Sequence, residues 1–257
     1  MPSTHPLLRV FSWSGRGCAL AVALAVLCAL PATAWAGYGP FEWGESLKSV
    51  GKKLGKVRLA PRTDVEVVLF EDKVLRAERD EKVRLARLKK KPAADIRRLS
   101  RAKPSKARLS AHFYWVELGP LDAKVVLQFL DERLTAAEVA VLFAANERAA
   151  AGEILDLLTE KYGPARSRRG ADAPGAPVVD VFEAAGTDIE AYQQPAVGGQ
   201  SGFLRLLYRG REQKDRVETY LKSLAERAAA LEEARRPKGP TPEELEAARR
   251  AALLQHL

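Results

Sequence analysis

The sequence predicts an α+β fold, in which helices pack on an antiparallel sheet. Segments rich in β-branched and aromatic residues cluster between positions 109 and 210, and charged segments with helical periodicity lie on both sides of them. Several of these strand candidates are joined by only two to four residues. Such short connections favour antiparallel neighbours, because parallel strands need a long crossover.

The segment Met1–Ala36 has the pattern of a secretory signal peptide. Arg9 and Arg16 precede an apolar run from Cys18 to Leu30, and Ala34-Trp35-Ala36 supplies the small residues that signal peptidase requires. We therefore predict cleavage after Ala36 and a periplasmic or extracellular mature protein. The apolar run is shorter than the roughly 20 residues that span a bilayer. An uncleaved anchor over residues 17–36 is the alternative.

Cleavage would remove both cysteines, since Cys18 and Cys28 lie in this leader. The mature protein would then have no thiol nucleophile, no disulfide and no cysteine-ligated metal. A mature chain of residues 37–257 is long enough to bury a core without such crosslinks.

Residues 37–108 are predicted to form a helical, basic N-terminal segment. Ser46 begins a short helix that Gly55 closes, and Phe41 and Trp43 are expected to fold back on the core. A long charged helix is predicted from Thr63 to Lys91.

The first turns of this long helix are ambiguous. Thr63 and Glu66 have the spacing of a capping box, and acid-before-base pairs such as Asp72 with Arg76 favour a helix. The valine-rich composition of residues 64–75 also suits a strand. We predict the helix, with an apolar stripe that includes Leu85 and Leu88 and is interrupted by Glu81. Pro92 and Pro104 then bracket a basic connector, which Ile96 and Leu99 attach to the body.

Residues 109–210 are predicted to form the body, an antiparallel sheet plus one helix. Six strands are expected: His112–Leu118, Ala123–Leu130, Leu134–Phe143, Val178–Ala184, Thr187–Gln193 and Phe203–Tyr208. A helix is expected from Glu147 to Tyr162, with Asn146 as its N-cap and Gly163-Pro164 as its stop. Arg166–Pro177 is expected to be a loop. No long sequence repeat is present.

Residues 211–257 are predicted to form a C-terminal helical hairpin. The first helix runs from Arg211 to Arg236, and Thr241 caps the second. The short linker between them favours an antiparallel pair. The apolar stripe from Val217 to Leu231 favours packing on the protein's own body over a coiled coil, which normally needs more heptads.

Three motifs carry a resemblance: Phe41-Glu-Trp-Gly-Glu-Ser46, Phe129-Leu-Asp-Glu-Arg-Leu134, and Leu157 to Pro164 with its Lys-Tyr-Gly-Pro ending. Together they resemble uncharacterised exported proteins of proteobacteria, over residues 37–164. The resemblance implies an envelope compartment and an α+β architecture. It implies no activity.

Catalytic, cofactor and metal sites have no signature in the sequence. The histidines His5, His112 and His256 are too scattered to share a metal, and Ser201 lacks the setting of a nucleophile elbow. We predict no catalytic residue, no cofactor and no metal ligand. Acidic pairs, Asp131 with Glu132 and Asp180 with Glu183, leave a carboxylate-dependent hydrolase as an alternative.

Charge singles out residues 76–108, with 14 basic and 4 acidic residues. Outside the cytoplasm such a segment favours anionic lipid or phosphorylated glycolipid over nucleic acid. The plainer interpretation is a solvated helix and linker. The candidate anion-binding residues are Arg84, Arg87, Lys89, Lys90, Lys91, Arg97, Arg98 and Arg101.

The function that follows is a noncatalytic exported protein that serves as a binding or assembly module. Its expected partner is an envelope protein, or an anionic lipid or glycolipid bound through residues 76–108. No nucleic acid is expected, and the protein would not be integral to a membrane once the signal is cleaved.

Overall fold

The computed structural model describes residues 37–103, 105–170, 176–197, 200–236 and 242–254. The predicted signal peptide and the predicted cap Thr241 lie outside these ranges. Within them, helices and a large antiparallel sheet confirm the predicted α+β class.

Six α-helices are described: α1 Leu47–Lys53, α2 Glu66–Leu88, α3 Ala93–Arg101, α4 Arg148–Tyr162, α5 Arg211–Arg235 and α6 Pro242–Leu254. The described strands are β1 Gly37–Tyr38, β2 Phe41–Glu42, β3 Ala60–Arg62, β4 Leu109–Leu118, β5 Leu121–Leu130, β6 Arg133–Phe143, β7 Ser167–Gly170, β8 Val178–Ala184, β9 Thr187–Gln194 and β10 Gly202–Gly210.

These elements form two compact units. The sheet unit comprises the described residues up to Phe70 together with Lys106–Thr219. The helical unit comprises Glu71–Ser105 and the described residues from Tyr220 onward. The helical unit is therefore assembled from an insertion between β3 and β4 and from the C-terminal part of the chain.

The large sheet has eight strands in the order β3-β4-β5-β6-β10-β9-β8-β7, with every neighbouring pair antiparallel. The sheet consists of two halves with the same order of elements, a repeat of topology, although the sequence shows no long repeat. Each half is one helix followed by four strands, α1 with β3–β6 and α4 with β7–β10. The last strands of the two halves, β6 and β10, pair at the centre of the sheet.

The main core lies on one face of this sheet. Alternate residues of the central strands point into it, as the period of two in a strand requires, and α1 and α4 cover it through Val50 and Leu158. Val125, Leu134 and Leu204 are 0% exposed. Each such side chain contributes roughly 1.5–3 kcal/mol by leaving water.

The aromatic segment before α1 folds back on the core, as predicted. Phe41 is 1% exposed, and the Trp43 indole donates a hydrogen bond to Thr187 Oγ1 at 2.8 Å. A Cβ on Gly210 would lie 2.5 Å from Trp43 Cγ, so only glycine fits beneath that ring. Ser46 caps α1 by accepting from the Ser49 N–H, as the sequence indicated.

The turn between β5 and β6 consists of Asp131 and Glu132, which have φ angles of 52° and 62°. A two-residue hairpin loop of this kind requires left-handed backbone, which most residues avoid. Tertiary contacts hold it in place. Arg108 makes two bonds to the Asp131 carboxylate at 2.6 and 2.7 Å, and the Leu47 N–H donates to the Glu132 carbonyl at 2.9 Å.

Several local predictions are confirmed, and others are wrong. Residues 66–75 belong to α2, so the strand alternative is excluded there. The connector after Pro92 was not predicted as a separate helix, but it contains α3, for which Pro92 is the N-cap residue. The expected loop after Arg166 contains β7, which pairs with β8. Asn146 lies inside a 3-10 turn and does not cap α4.

Polar contacts, buried at Glu71 and part-buried at Glu78, link α2 and α5 within the helical unit. The Tyr220 hydroxyl donates to Glu71 Oε1 at 2.5 Å, and Glu71 is 0% exposed. Arg227 makes two bonds to the Glu78 carboxylate at 2.6 and 2.7 Å. Of the acid-before-base pairs expected along α2, Asp72 with Arg76 forms at 4.0 Å.

The second C-terminal helix, α6, is exposed wherever its side chains are described, and Leu245 is 57% exposed. The stripe on α5 points inward instead, with Leu224 at 0% exposure. The antiparallel arrangement of α5 and α6 stays a prediction.

Candidate anion-binding groove

The eight predicted anion-binding residues belong to the helical unit, where all of them are exposed. Arg84 and Arg87 lie on the last turns of α2, one turn apart and therefore on the same face. Lys89, Lys90 and Lys91 form the connection to α3. Arg97, Arg98 and Arg101 lie on α3 itself.

The three lysines form the C-terminal cap of α2. The Lys91 N–H donates to the Ala86 carbonyl, and the Lys90 N–H donates to the Arg87 carbonyl, each at 3.0 Å. This pair of bonds is a Schellman motif, whose left-handed position is usually occupied by glycine. Here that position is Lys90, with a φ angle of 50°.

A shallow groove with a volume of about 670 Å³ runs between α2 and α3. Arg84 and Arg87 line it, together with residues that were not predicted as part of a site: Arg79, Asp80, Val83, Leu88 and Ser100. The lining of the groove therefore combines the apolar side chains of Val83 and Leu88 with the guanidinium groups of three arginines. Arg97 lies one turn from Ser100 on α3 and so borders the same face.

Within the described part of the chain, Arg84 differs from the other seven predicted cations because it forms an ion pair. Arg84 makes two bonds to Glu81 at 2.7 and 2.8 Å, and these bonds lower the pKa of the Glu81 carboxyl. Among the described residues, no ion pair involves Arg87, Lys89–Lys91, Arg97, Arg98 or Arg101. By contrast, seven arginines of the sheet unit form ion pairs: Arg62, Arg108, Arg166, Arg168, Arg205, Arg209 and Arg211.

Two leucines of the expected apolar stripe on α2 are not buried. Leu85 is 41% exposed and Leu88 is 65% exposed. The stripe prediction holds at Val74, which is buried, and is wrong at this end, where Ala86 is buried instead of Leu85 and Leu88. The end of α2 thus presents an exposed leucine next to three lysines.

The two predicted acidic pairs lie in different surroundings. Asp131 and Glu132 occupy an exposed turn, where the bidentate bond from Arg108 lowers the pKa of Asp131. Asp180 and Glu183 are three residues apart on β8, so their side chains point to opposite faces of the sheet.

His112 and Ser201, the other catalytic candidates in the sequence, have no catalytic partner among the described residues. The His112 ring packs edge-on against Phe129, with 5.7 Å between the ring centroids, and burial lowers its pKa. Ser201 lies exposed before β10, and the adjoining Gly198 and Gly199 are outside the described ranges. No set of three His, Cys, Asp or Glu side chains in the described part of the chain is placed to hold a metal ion.

None of the described helices combines the length and the apolar character needed to cross a bilayer.

Comparisons with known proteins add little to this geometry. No known protein family matches the chain, and no curated protein is significantly similar to it. One solved structure is similar, a DUF4309 family protein (YjgB) from Bacillus subtilis. It is 15% identical, with a TM-score of 0.22, over 45% of this chain and 78% of that protein. A similarity of this size supports neither a fold assignment nor a function.

Proposed function

We propose that the protein is an exported, noncatalytic binding module that attaches to an anionic membrane surface. The attachment surface is the end of the basic segment, comprising Leu88, the lysine cap Lys89–Lys91 and the exposed arginines around the groove. The observation that carries this proposal is the set of seven exposed cations that have no ion-pair partner among the described residues.

An anionic surface attracts most strongly those cationic side chains that are not paired with a carboxylate. Each Lys or Arg near such a surface contributes about 1 kcal/mol, and the attraction decays over roughly 10 Å at 0.1 M salt. Cations already paired with carboxylates would have to break those pairs first. Seven arginines of the sheet unit are paired in this way, while others, such as Arg58 and Arg148, have no ion pair among the described residues. The helical unit is favoured because its seven cations without such a pair lie within one short stretch, residues 87–101.

The lysine at position 90 supports a functional role for the cap. A residue with a Cβ in left-handed backbone is less stable there than glycine by about 1 kcal/mol. Strained backbone of this kind is found preferentially at functional sites. Cations at the end of a helix also interact favourably with its dipole, which is the purely structural explanation of the lysines.

Leu88 adds an apolar contact to the electrostatic one. A single leucine that enters the headgroup region contributes about 2 kcal/mol at most, so attachment would be reversible and sensitive to salt. This combination fits a peripheral protein that samples a membrane surface.

The proposal is tested by sedimenting the mature protein, residues 37–257, with vesicles. We expect binding to vesicles rich in phosphatidylglycerol, no binding to phosphatidylcholine vesicles, and steep loss of binding with added salt. The triple variant Lys89→Glu, Lys90→Glu, Lys91→Glu should lose most of the binding. Leu88→Ser should weaken it severalfold.

The matched control reverses three exposed lysines of the sheet unit, Lys48→Glu, Lys52→Glu and Lys56→Glu. It changes the net charge by the same amount and should bind nearly as well as the unaltered protein. Equal losses in the two triple variants would show that only the net charge matters, and the proposed site would then be wrong. Vesicle binding that persists at high salt would contradict attachment through the cations.

Lys90→Gly separates the functional from the structural explanation of the cap. Glycine relieves the left-handed backbone, so the free energy of unfolding should rise by about 0.5 kcal/mol or more. If the cap serves attachment, vesicle affinity should fall at the same time. A variant that is more stable and binds equally well would contradict a role for this lysine.

A further inference from the structure

The sheet face opposite the main core carries a second surface, distinct from the basic segment. Strand pairing aligns one cross-strand row across β4, β5, β6, β10 and β9. The row consists of Trp115, Lys124, Ala140, Arg205 and Tyr192. Because side chains alternate along a strand, all five point away from the main core.

This row is partly exposed: Lys124, Ala140, Arg205 and Tyr192 are half-buried, and Val126 and Leu207 in an adjoining row of the same face are buried. Trp115 is 60% exposed, and Leu142, next to Phe203 in the adjoining row, is 69% exposed. The exposed apolar side chains of this face lie in two places, Trp115 on β4, and Leu142 beside Phe203 where β6 pairs with β10.

The aromatic rings form two clusters on this face. The Lys124 ammonium lies 4.5 Å from the Phe113 ring centroid and 5.8 Å from that of Trp115. Tyr192 and Phe203 form the second cluster, with their centroids 6.1 Å apart. Four strand spacings separate β4 from β9, so the clusters are up to about 19 Å apart, which suits an extended ligand. Between the two clusters the row contains Ala140, whose side chain is short.

The charges of the face are balanced. Arg205 Nε lies 3.4 Å from the Glu138 carboxylate without a hydrogen bond to it, and Lys124 interacts electrostatically with Asp64. A polyanion would meet these carboxylates as well as the cations. A neutral ligand rich in hydroxyl groups would find both donors and acceptors, and apolar ring faces beside them.

We propose that this face binds a neutral oligosaccharide strand. The C–H faces of the sugar rings would stack on Trp115 and on the Tyr192–Phe203 pair, because the negative face of an aromatic ring attracts C–H groups. The Arg205 guanidinium and the Glu138 carboxylate would bind sugar hydroxyls above Ala140. The ligand class is therefore distinct from the anionic surface bound by the helical unit.

The test titrates the mature protein with cello- and chito-oligosaccharides and measures affinity by calorimetry. At least one series should bind, and binding should tighten with chain length until both aromatic clusters are covered. Trp115→Ala and Tyr192→Ala should each weaken binding about tenfold. Trp115→Phe, which keeps a ring, should retain most of the affinity.

Tryptophan fluorescence gives an independent readout. After removal of the leader, the chain retains only Trp43 and Trp115. A bound sugar should shift the emission of exposed Trp115 to shorter wavelength, and Trp115→Phe should abolish that shift.

Three results would overturn the proposal: no binding of either series, binding that does not depend on Trp115, or tighter binding of oligo(dT) that the same variants abolish. Since Trp115 and Tyr192 lie outside the basic segment, the lysine-cap variants should bind sugar normally. Failure of this proposal is thus distinguishable from failure of membrane attachment.

Discussion

At the scale of single residues, three positions with a side chain have left-handed backbone, within the described part of the chain: Lys90, Asp131 and Glu132. Asp tolerates this conformation better than Glu or Lys, because its short side chain bonds locally. The turn at Asp131 and Glu132 is fixed by contacts from Arg108 and Leu47, so its strain is offset by tertiary structure.

Replacement of Glu132 by glycine should stabilise the protein. The left-handed conformation costs a residue with a Cβ about 1–2 kcal/mol, and glycine loses about 0.5–1 kcal/mol more backbone entropy on folding. The expected net gain is about 0.5–1 kcal/mol in the free energy of unfolding, measured with urea. Glu132→Ala, which removes the same carboxylate and keeps the strain, should show no gain. Equal effects in the two variants would contradict this explanation.

His112 should make stability depend on pH near neutrality. Burial lowers its pKa below the ordinary value of 6.5, so the unfolded chain takes up the proton first as the pH falls. The contribution of the neutral ring is complete above about pH 6.5 and is lost as the pH falls through the lower, folded-state pKa.

The test compares urea unfolding of the unaltered protein and His112→Gln between about pH 7.5 and pH 5. The unaltered protein should lose more stability over this range. Carboxyl groups with lowered pKa values, such as Asp131 and Glu78, lose their contribution at lower pH and do not obscure it. Parallel curves for the two proteins would show that His112 does not titrate in this way.

Residue-level roles were predictable only where local chemistry decides them. Ser46 as a cap and Trp43 as a core contact follow from short-range patterns. The lysine in the Schellman position was not predictable, since a sequence rule places glycine there. The sequence Phe113-Tyr-Trp115 indicates that Phe113 and Trp115 lie on the same side of their strand, because side chains alternate. It does not show which side of the sheet is exposed.

At the scale of elements, polar contacts join α2 and α5 in the helical unit, a buried one at Glu71 and a part-buried one at Glu78. The Glu71 carboxylate is 0% exposed and accepts from Tyr220, while Glu78 holds Arg227. A buried carboxylate that loses a donor bears a desolvation cost that an exposed one does not.

Tyr220→Phe should therefore destabilise the protein by about 2 kcal/mol, since it removes a hydrogen bond to a buried carboxylate. Tyr192→Phe is the control, because its hydroxyl lies on the surface, 3.5 Å from the Gln194 amide oxygen. The control should change stability by less than about 0.5 kcal/mol. Urea unfolding of both variants measures the difference, and equal costs would remove the special role of Glu71.

Elements were predicted well where periodicity was long. The central strands follow from their alternation, and α2 follows from its helical charge spacing, although it begins at Glu66, three residues after the predicted cap Thr63. β3 and β7 were missed because they have three and four residues, too few for a period to show. α3 was missed because a basic segment between prolines was interpreted as a linker, although Pro92 leads directly into a helix.

At the scale of the whole molecule, stability should be greatest at the centre of the sheet. β5, β6 and β10 contain the least exposed side chains, whereas every residue of β7 is exposed. Hydrogen exchange should therefore be slowest in the central strands and fast in β7 and α6, because local opening exposes little apolar surface there. Protection of β7 comparable to that of β6 would contradict this gradient.

The repeat of topology could not be predicted, because it depends on the pairing of β6 with β10. That contact joins residues far apart in sequence, and no local pattern encodes it. The candidate anion-binding residues were chosen from charge alone, while the groove and its exposed leucine required the packing of α2 and α3.

The two sheet halves differ in what separates their first and second strands. In the first half, the connection from β3 to β4 contains the helices α2 and α3. In the second half, the connection from β7 to β8 consists of residues 171–177 only. The fold thus accommodates a large inserted segment in one of two equivalent connections between strands. The other connection should accept a grafted module at modest cost, since the entropy of closing a loop grows slowly with its length.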